Sequence, residues 1–203
     1  MSIQYVIEHV ATVFAAISGT MAGRGKNVDL FGVLVLALVT ALGGGTLRDV
    51  ILDARPVFWI ADPGYVITAT IAAICYFVVA RFWTLPHIVV LLADAGGLAL
   101  FTVVGVHKAS TYGVSPIVSV AMGVITGVAG GVIRDVLTNE IPLIVRHQIT
   151  LYATASLCGA IVFALLQPRI ETSTSWGLGI ATTLILRLAA IRWELRLPLF
   201  KTR

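Results

Sequence analysis

The chain carries one cluster of residues twice, in ungapped register. Gly44-Gly45-Thr46-Leu47-Arg48-Asp49-Val50 returns 86 residues later as Gly130-Gly131-Val132-Ile133-Arg134-Asp135-Val136. The same offset takes Glu8 to Asp94, Gly19 to Gly105, Thr40 to Thr126 and Pro56 to Pro142. Each copy reads as three membrane spans. An odd number of crossings forces the second copy to insert upside down relative to the first. That is the plan of inverted-repeat transport proteins, whose sites lie at interrupted helices near the bilayer midplane.

The reading in lipid rests on composition. Apolar residues make up 58% of the 203, charged residues 12%, and the mean hydropathy is +0.97. A soluble domain carries about a quarter charged residues, and a span needs roughly 20 mostly apolar ones. Seven runs qualify, at about 4–23, 29–53, 64–82, 87–107, 115–138, 148–167 and 174–193. The fold expected is an all-α integral membrane protein and a single membrane domain over 1–203. Repeat one covers about 4–84, repeat two about 87–168, and a seventh helix about 174–193. The first run lacks a basic leader and carries Glu8 and His9, so it is read as a span rather than a secretory signal. Cys75 and Cys158 lie inside apolar runs and read as small packing residues, not a disulfide.

Charge placement sets the expected orientation. Seven spans put Arg24, Lys26, Arg81, Arg146, Arg192, Arg196, Lys201 and Arg203 on one side, and Arg55, Lys108 and Arg169 on the other. This basic bias predicts an outward N-terminus and a cytoplasmic C-terminus. The net charge of +4 therefore anchors topology and gives no reason to expect a nucleic-acid partner. The tail Arg192-Trp193-Glu194-Leu195-Arg196 suits an anionic lipid surface. The spans hold no Ser/His or His/Glu metal arrangement, which argues against an enzyme. His9, His87, His107 and His147 read as interfacial, and no cofactor is expected.

Gly43-Gly44-Gly45 lies near the middle of span two, and Ala129-Gly130-Gly131 at the same depth of span five. Each glycine costs about 1 kcal/mol of helix propensity, which predicts a break at these points, milder in the second copy because Ala129 replaces Gly43. Carbonyls freed there would be cation ligands, since a half-helix C-terminus carries partial negative charge. The alternative is that the glycines only permit close helix packing. Arg48, Asp49, Arg134 and Asp135 are charges at membrane depth, which normally face a bundle interior or an aqueous path. Neighbours in sequence do not share a helix face, so each Arg is expected to find its partner elsewhere. The repeat geometry points to Glu8–Arg48 and Asp94–Arg134, one pair on each side of the midplane, either lining a pore or holding helices together. Thr40 and Thr126, one turn before the glycines, either line a path or bond back to their own helices. Pro56 and Pro142 are expected to end spans two and five.

The paired Gly-Gly-Gly-x-x-Arg-Asp and Gly-Gly-x-x-Arg-Asp motifs in a seven-span chain resemble the prokaryotic trimeric intracellular cation (TRIC) channels, also labelled a bacterial glycine-transporter domain family. The resemblance covers about residues 5–190. It implies two inverted three-helix repeats plus a seventh helix, kinked second and fifth helices, a homotrimer in membrane lipid, and one pore per protomer. The animal members' Lys-Glu-Val signature is absent. The function expected is a monovalent cation channel for potassium and sodium. Its path would pass Gly43, Gly44, Gly45, Ala129, Gly130 and Gly131. The alternative is a carrier for glycine or another small zwitterion.

Overall fold

The structure is a computed structural model and describes residues 3–83, 86, 88–145 and 151–195. His87, Arg146, His147, Arg196, Lys201 and Arg203, singled out above, lie outside these residues. Among these residues eight helices follow in order: α1 (Ile3–Ala22), α2 (Leu30–Ile51), α3 (Phe58–Ala61), α4 (Gly64–Phe82), α5 (Ile88–Thr111), α6 (Pro116–Leu137), α7 (Tyr152–Leu166) and α8 (Thr172–Trp193). Among the described residues there is no strand. Six helices among the described residues are long and apolar enough to cross a membrane, and α7 is apolar but only 15 residues long. Apart from the four-residue α3, each helix coincides with an expected span. The largest difference that matters is at the end of α5. It runs to Thr111, so Lys108 sits on a helix and not in a loop.

The two copies build their second helices alike. Asp29 starts α2 by accepting a hydrogen bond from the Gly32 amide at 2.8 Å. Its counterpart Ser115 starts α6, with Pro116 at the first helical position and its hydroxyl accepting from the Val118 amide at 3.5 Å. These are the short polar side chains and the pre-set φ that favour helix starts. At the other end, Asp53 (φ 50°) and Asn139 (φ 56°) take the left-handed conformation, which Asp and Asn tolerate better than most residues. The Ala54 amide then donates to the Asp49 carbonyl, and the Glu140 amide to the Asp135 carbonyl, both at 2.8 Å. These turns end the helices at Ile51 and Leu137, before Pro56 and Pro142 are reached. The expectation that the prolines stop the helices is corrected accordingly.

The expected breaks are absent. Both α2 and α6 are continuous α-helix through Gly43–Gly45 and Ala129–Gly131. In lipid the alternative to a helical hydrogen bond is an unsatisfied amide, which costs several kcal/mol. That outweighs a propensity deficit of about 1 kcal/mol per glycine. The glycines serve contact instead. A Cβ on Gly44 would overlap the Thr126 carbonyl oxygen, and one on Gly130 would overlap that of Thr40. Gly44 and Gly130, like Thr40 and Thr126, are repeat equivalents, so α2 and α6 cross main chain to main chain at one symmetric point.

Around that crossing α1, α2 and α4 pack together, and so do α5, α6 and α7. The groups are joined by α1 against α5 and α2 against α6, and α8 closes on α5 and α7. Small residues bring the backbones close, as in membrane bundles generally. Ala11, Ala16, Ala37, Ala69, Ala95 and Ala99 are all buried in these interfaces. Larger apolar residues face outward: Ile67, Ile71, Ile74 and Val78 form an exposed stripe along α4, the side a bilayer would cover. Cys75 is free and exposed on α4, so it does not pack inside the chain as expected. Cys158 is free and half-buried.

Candidate functional site

A small cavity of about 20 Å³ lies against the α2–α6 crossing, room for about one water molecule. It is lined by Ser18, Thr40, Gly44, Asp94, Thr126 and Gly130, among others. Both threonines are buried and bond back to their own helices. Thr40 Oγ1 donates to the Leu36 carbonyl and Thr126 Oγ1 to that of Met122, each at 2.6 Å. The back-bonding alternative thus holds for both residues, and both also line the cavity. The remaining glycines of the motifs each make room for a neighbour. A Cβ on Gly43 would come 3.0 Å from Ile133 Cδ1. One on Gly45 would come 2.6 Å from the Phe58 ring, and one on Gly131 would come 3.0 Å from Tyr152 Oη.

Helix directions alternate, so Glu8, Arg48 and Asp49 fall near the face that carries the N-terminus. Asp94, Arg134 and Asp135 fall near the face that carries the end of α8. At this C-terminal face the expected pair forms. Arg134 Nη1 donates to Asp94 Oδ1 at 2.8 Å and to Ser18 Oγ at 2.5 Å. Its Nε donates to Asp135 Oδ1 at 2.8 Å. Asp135 Oδ2 accepts the Leu143 amide at 2.9 Å. Tyr152 Oη donates to Asp94 Oδ1 at 3.4 Å, and the Arg187 guanidinium lies 4.8 Å from the centre of the Tyr152 ring. Asp94, Arg134, Asp135, Tyr152 and Arg187 are all buried.

At the N-terminal face the expected Glu8–Arg48 pair does not form. Glu8 accepts from Tyr65 Oη and, at 2.9 Å, from Gln4 Nε2. Arg48 instead reaches its own neighbour, with Nε 2.8 Å from Asp49 Oδ1. Asp49 Oδ2 accepts the Phe58 amide and Lys108 Nζ, each at 2.9 Å. The rule that adjacent residues face apart holds for their Cβ directions. A guanidinium at the end of a flexible stem is long enough to fold back on the next carboxylate, and in both copies it does. The Arg-Asp motif is therefore a unit: the Arg neutralises the Asp, and the Asp ties the following segment to the end of its helix. The Tyr65 ring that holds Glu8 also stacks on His9, with centroids 4.5 Å apart.

Four participants escaped the sequence reading: Ser18, Tyr65, Tyr152 and Arg187. Arg187 had a signal, being a charge set well inside the apolar run at 174–193. Lys108 was noticed, but as a loop charge. A wider hollow of about 250 Å³ opens at the C-terminal face, with Lys26, Arg134, Asp135 and Glu140 among its lining. Lys26 Nζ bonds Glu140 Oε1 there at 2.5 Å. Among the described residues no group of His, Cys, Asp and Glu has metal-site geometry.

The family model described as "Glycine transporter" matches residues 5–81 and 91–168. The UPF0126 inner membrane protein YadS of Escherichia coli is 46% identical over 204 residues, spanning 97% of this chain and 95% of that protein. A UPF0126 membrane protein of Vibrio cholerae is 43% identical over 98% of this chain and 83% of its own length. The crystal structure of the TRIC trimeric intracellular cation channel orthologue from Rhodobacter sphaeroides superposes with a TM-score of 0.90 at 33% identity, covering 96% of this chain and all of that one. The chain belongs to the TRIC family. A second TRIC cation channel structure gives a TM-score of 0.88 at 35% identity, over all of this chain and 99% of the other. The TRIC fold thus extends over both repeats and α8. With inner-membrane relatives and six described helices of spanning length, the chain is a multi-span membrane protein.

Proposed function

We propose that this protein is a monovalent cation channel, permeable to potassium and sodium, with a path inside each protomer. The observation that carries the reading is the cavity at the α2–α6 crossing. It lies between the two charge clusters, at the centre of a fold shared with proteins described as TRIC cation channels. From the C-terminal face the path runs through the hollow beside Arg134 and Asp135, past Asp94 and Ser18, to the cavity beside Thr40 and Thr126. From there it leads toward Arg48 and Asp49. Charged and hydroxyl-bearing side chains at membrane depth suit an ion path. The path does not require interrupted helices, because side-chain oxygens and the crossing main chains supply its polar wall. A cavity with room for about one water is too small for a glycine zwitterion, which favours a channel over a carrier.

The assembly that fits this reading is a homotrimer in the bacterial inner membrane, in keeping with the trimeric channel of Rhodobacter sphaeroides. Two inverted repeats make up its protomer. The N-terminus is placed outside and the C-terminus in the cytoplasm, following the basic excess on the C-terminal face. With Lys108 drawn into an ion pair on α5, only Arg55 and Arg169 among the described residues remain as loop cations on the opposite face.

Purified protein in planar bilayers tests the function directly. Stepwise currents that reverse at the cation equilibrium potential under a potassium chloride gradient are expected. Saturable glycine uptake into vesicles without such currents would replace the channel reading with the carrier.

A further inference from the structure

Glu8 and Asp94 occupy equivalent places in the repeats and differ in how fully their oxygens are engaged. Both oxygens of Glu8 are engaged, by Gln4 and by Tyr65. Asp94 is 6% exposed, and its Oδ1 takes the hydrogen bonds from Arg134 and Tyr152. Its Oδ2 is buried and has no hydrogen-bond partner. A carboxylate is acceptor-only, and a buried acceptor left unsatisfied costs about 1–3 kcal/mol, more when charged. Asp94 also lines the cavity at the helix crossing. This oxygen therefore calls for a hydrogen-bond donor or a cation.

The surroundings favour the cation. Thr40 and Thr126, on the same cavity, spend their only hydroxyl protons on the carbonyls of Leu36 and Met122. What their oxygens have left is lone pairs. Ser18 Oγ accepts from Arg134 and keeps a further lone pair. The formal charges gathered here, Asp94 and Asp135 against Arg134 and Arg187, already cancel. Only one carboxylate oxygen is open, with no surplus negative charge to offset a divalent ion. Calcium takes six to eight oxygens, and magnesium dehydrates reluctantly. About 20 Å³ admits a bare ion and not a hydrated one.

We propose that Asp94 Oδ2 is the anionic ligand of a discrete binding site for a single, largely dehydrated monovalent cation at the α2–α6 crossing. The site rests on the channel reading and gives it a point of occupancy. Thallium(I), an electron-rich stand-in for potassium, is the probe. Full-length protein is crystallised with thallium nitrate in place of potassium salt, and anomalous scattering is mapped. A peak within coordination distance of Asp94 is expected, displaced by added potassium but not by N-methylglucamine. Asp94→Asn keeps an acceptor for Arg134 through its amide oxygen and removes the charge. Thallium occupancy at the crossing is expected to fall at least tenfold in this variant, at unchanged oligomer size. Should the variant not fold, the displacement series in the unaltered protein decides alone.

Absence of a peak at saturating thallium, with water only in the cavity, overturns the site. So does a peak that persists in a folded Asp94→Asn protein. The two readings fail separately. Bilayer currents without the peak sink the site and leave the channel. A displaceable peak in a protein that passes no current sinks the channel and leaves the site.

Discussion

The two charge clusters are built from equivalent positions and settle their charges differently. At the C-terminal face, the acid of the first repeat helix bonds the Arg of the second: Asp94 holds Arg134, which also holds Asp135 and Ser18. At the N-terminal face the equivalent acid, Glu8, turns to Tyr65 and Gln4, and Lys108 crosses from α5 to take its place beside Asp49. One arrangement centres two carboxylates on a single guanidinium. The other centres two cations on a single carboxylate. What the repeat preserves is the adjacent Arg-Asp unit and the backbone amide each Asp captures. The remaining partners vary, provided that the charges near each face cancel.

The largest effect that separates the clusters is expected at their arginines. Arg134→Ala strands two buried carboxylates, and breaking a buried pair in this way costs about 3–5 kcal/mol. Arg48→Ala leaves Asp49 still held by Lys108 and the Phe58 amide, so its loss is expected to be roughly half as large. Unfolding in mild detergent with increasing denaturant measures both, and equal losses would erase the distinction between the faces. Glycine substitutions at the crossing probe the symmetry itself. Gly44→Ala and Gly130→Ala each force a methyl onto a carbonyl oxygen, and overpacking of this kind costs about 1–3 kcal/mol. The two variants are expected to lose similar stability and to depress bilayer current together. Gly43→Ala meets only the movable end of Ile133 and should lose less. A large difference between Gly44→Ala and Gly130→Ala would show that the crossing is not shared evenly.

Lys108→Ala is expected to lose a comparable amount, about 1.5–3 kcal/mol for a charged hydrogen bond. Its sharper readout is coupling. In a double-mutant cycle with Arg48→Ala the losses should be non-additive, because both residues serve Asp49. Additivity would separate Lys108 from the cluster. The smallest effect belongs to Lys26→Ala. Its pair with Glu140 is solvent-exposed at the rim, and thermal unfolding should shift by no more than about 1 kcal/mol.

The spans and the Asp94–Arg134 pair were legible from residues because apolar run length and repeat phase are both one-dimensional quantities. The glycine motif misled because helix propensity is measured in water, where an unbonded amide finds a solvent partner. Inside a bilayer Gly43–Gly45 have none, and the helix holds. The Arg48–Asp49 contact was hidden because side-chain reach, not Cβ direction, decides it. Lys108 was hidden because a helix end misjudged by four residues, 107 against Thr111, turned a half-buried partner into a loop charge. Tyr65 and Tyr152 carry no spacing signal. They join the clusters only once α4 and α7 are folded against α1 and α5.

The crossing of α2 and α6 has a further consequence for inheritance. Where two helices are spaced by side chains, every change of residue changes the spacing. Here the spacer is the polypeptide backbone itself, whose dimensions are the same in every protein. While glycine stands at both points, the separation of the rods at the centre of the fold cannot drift with the rest of the sequence. A TM-score of 0.90 at only 33% identity is the kind of divergence such a fixed gauge permits.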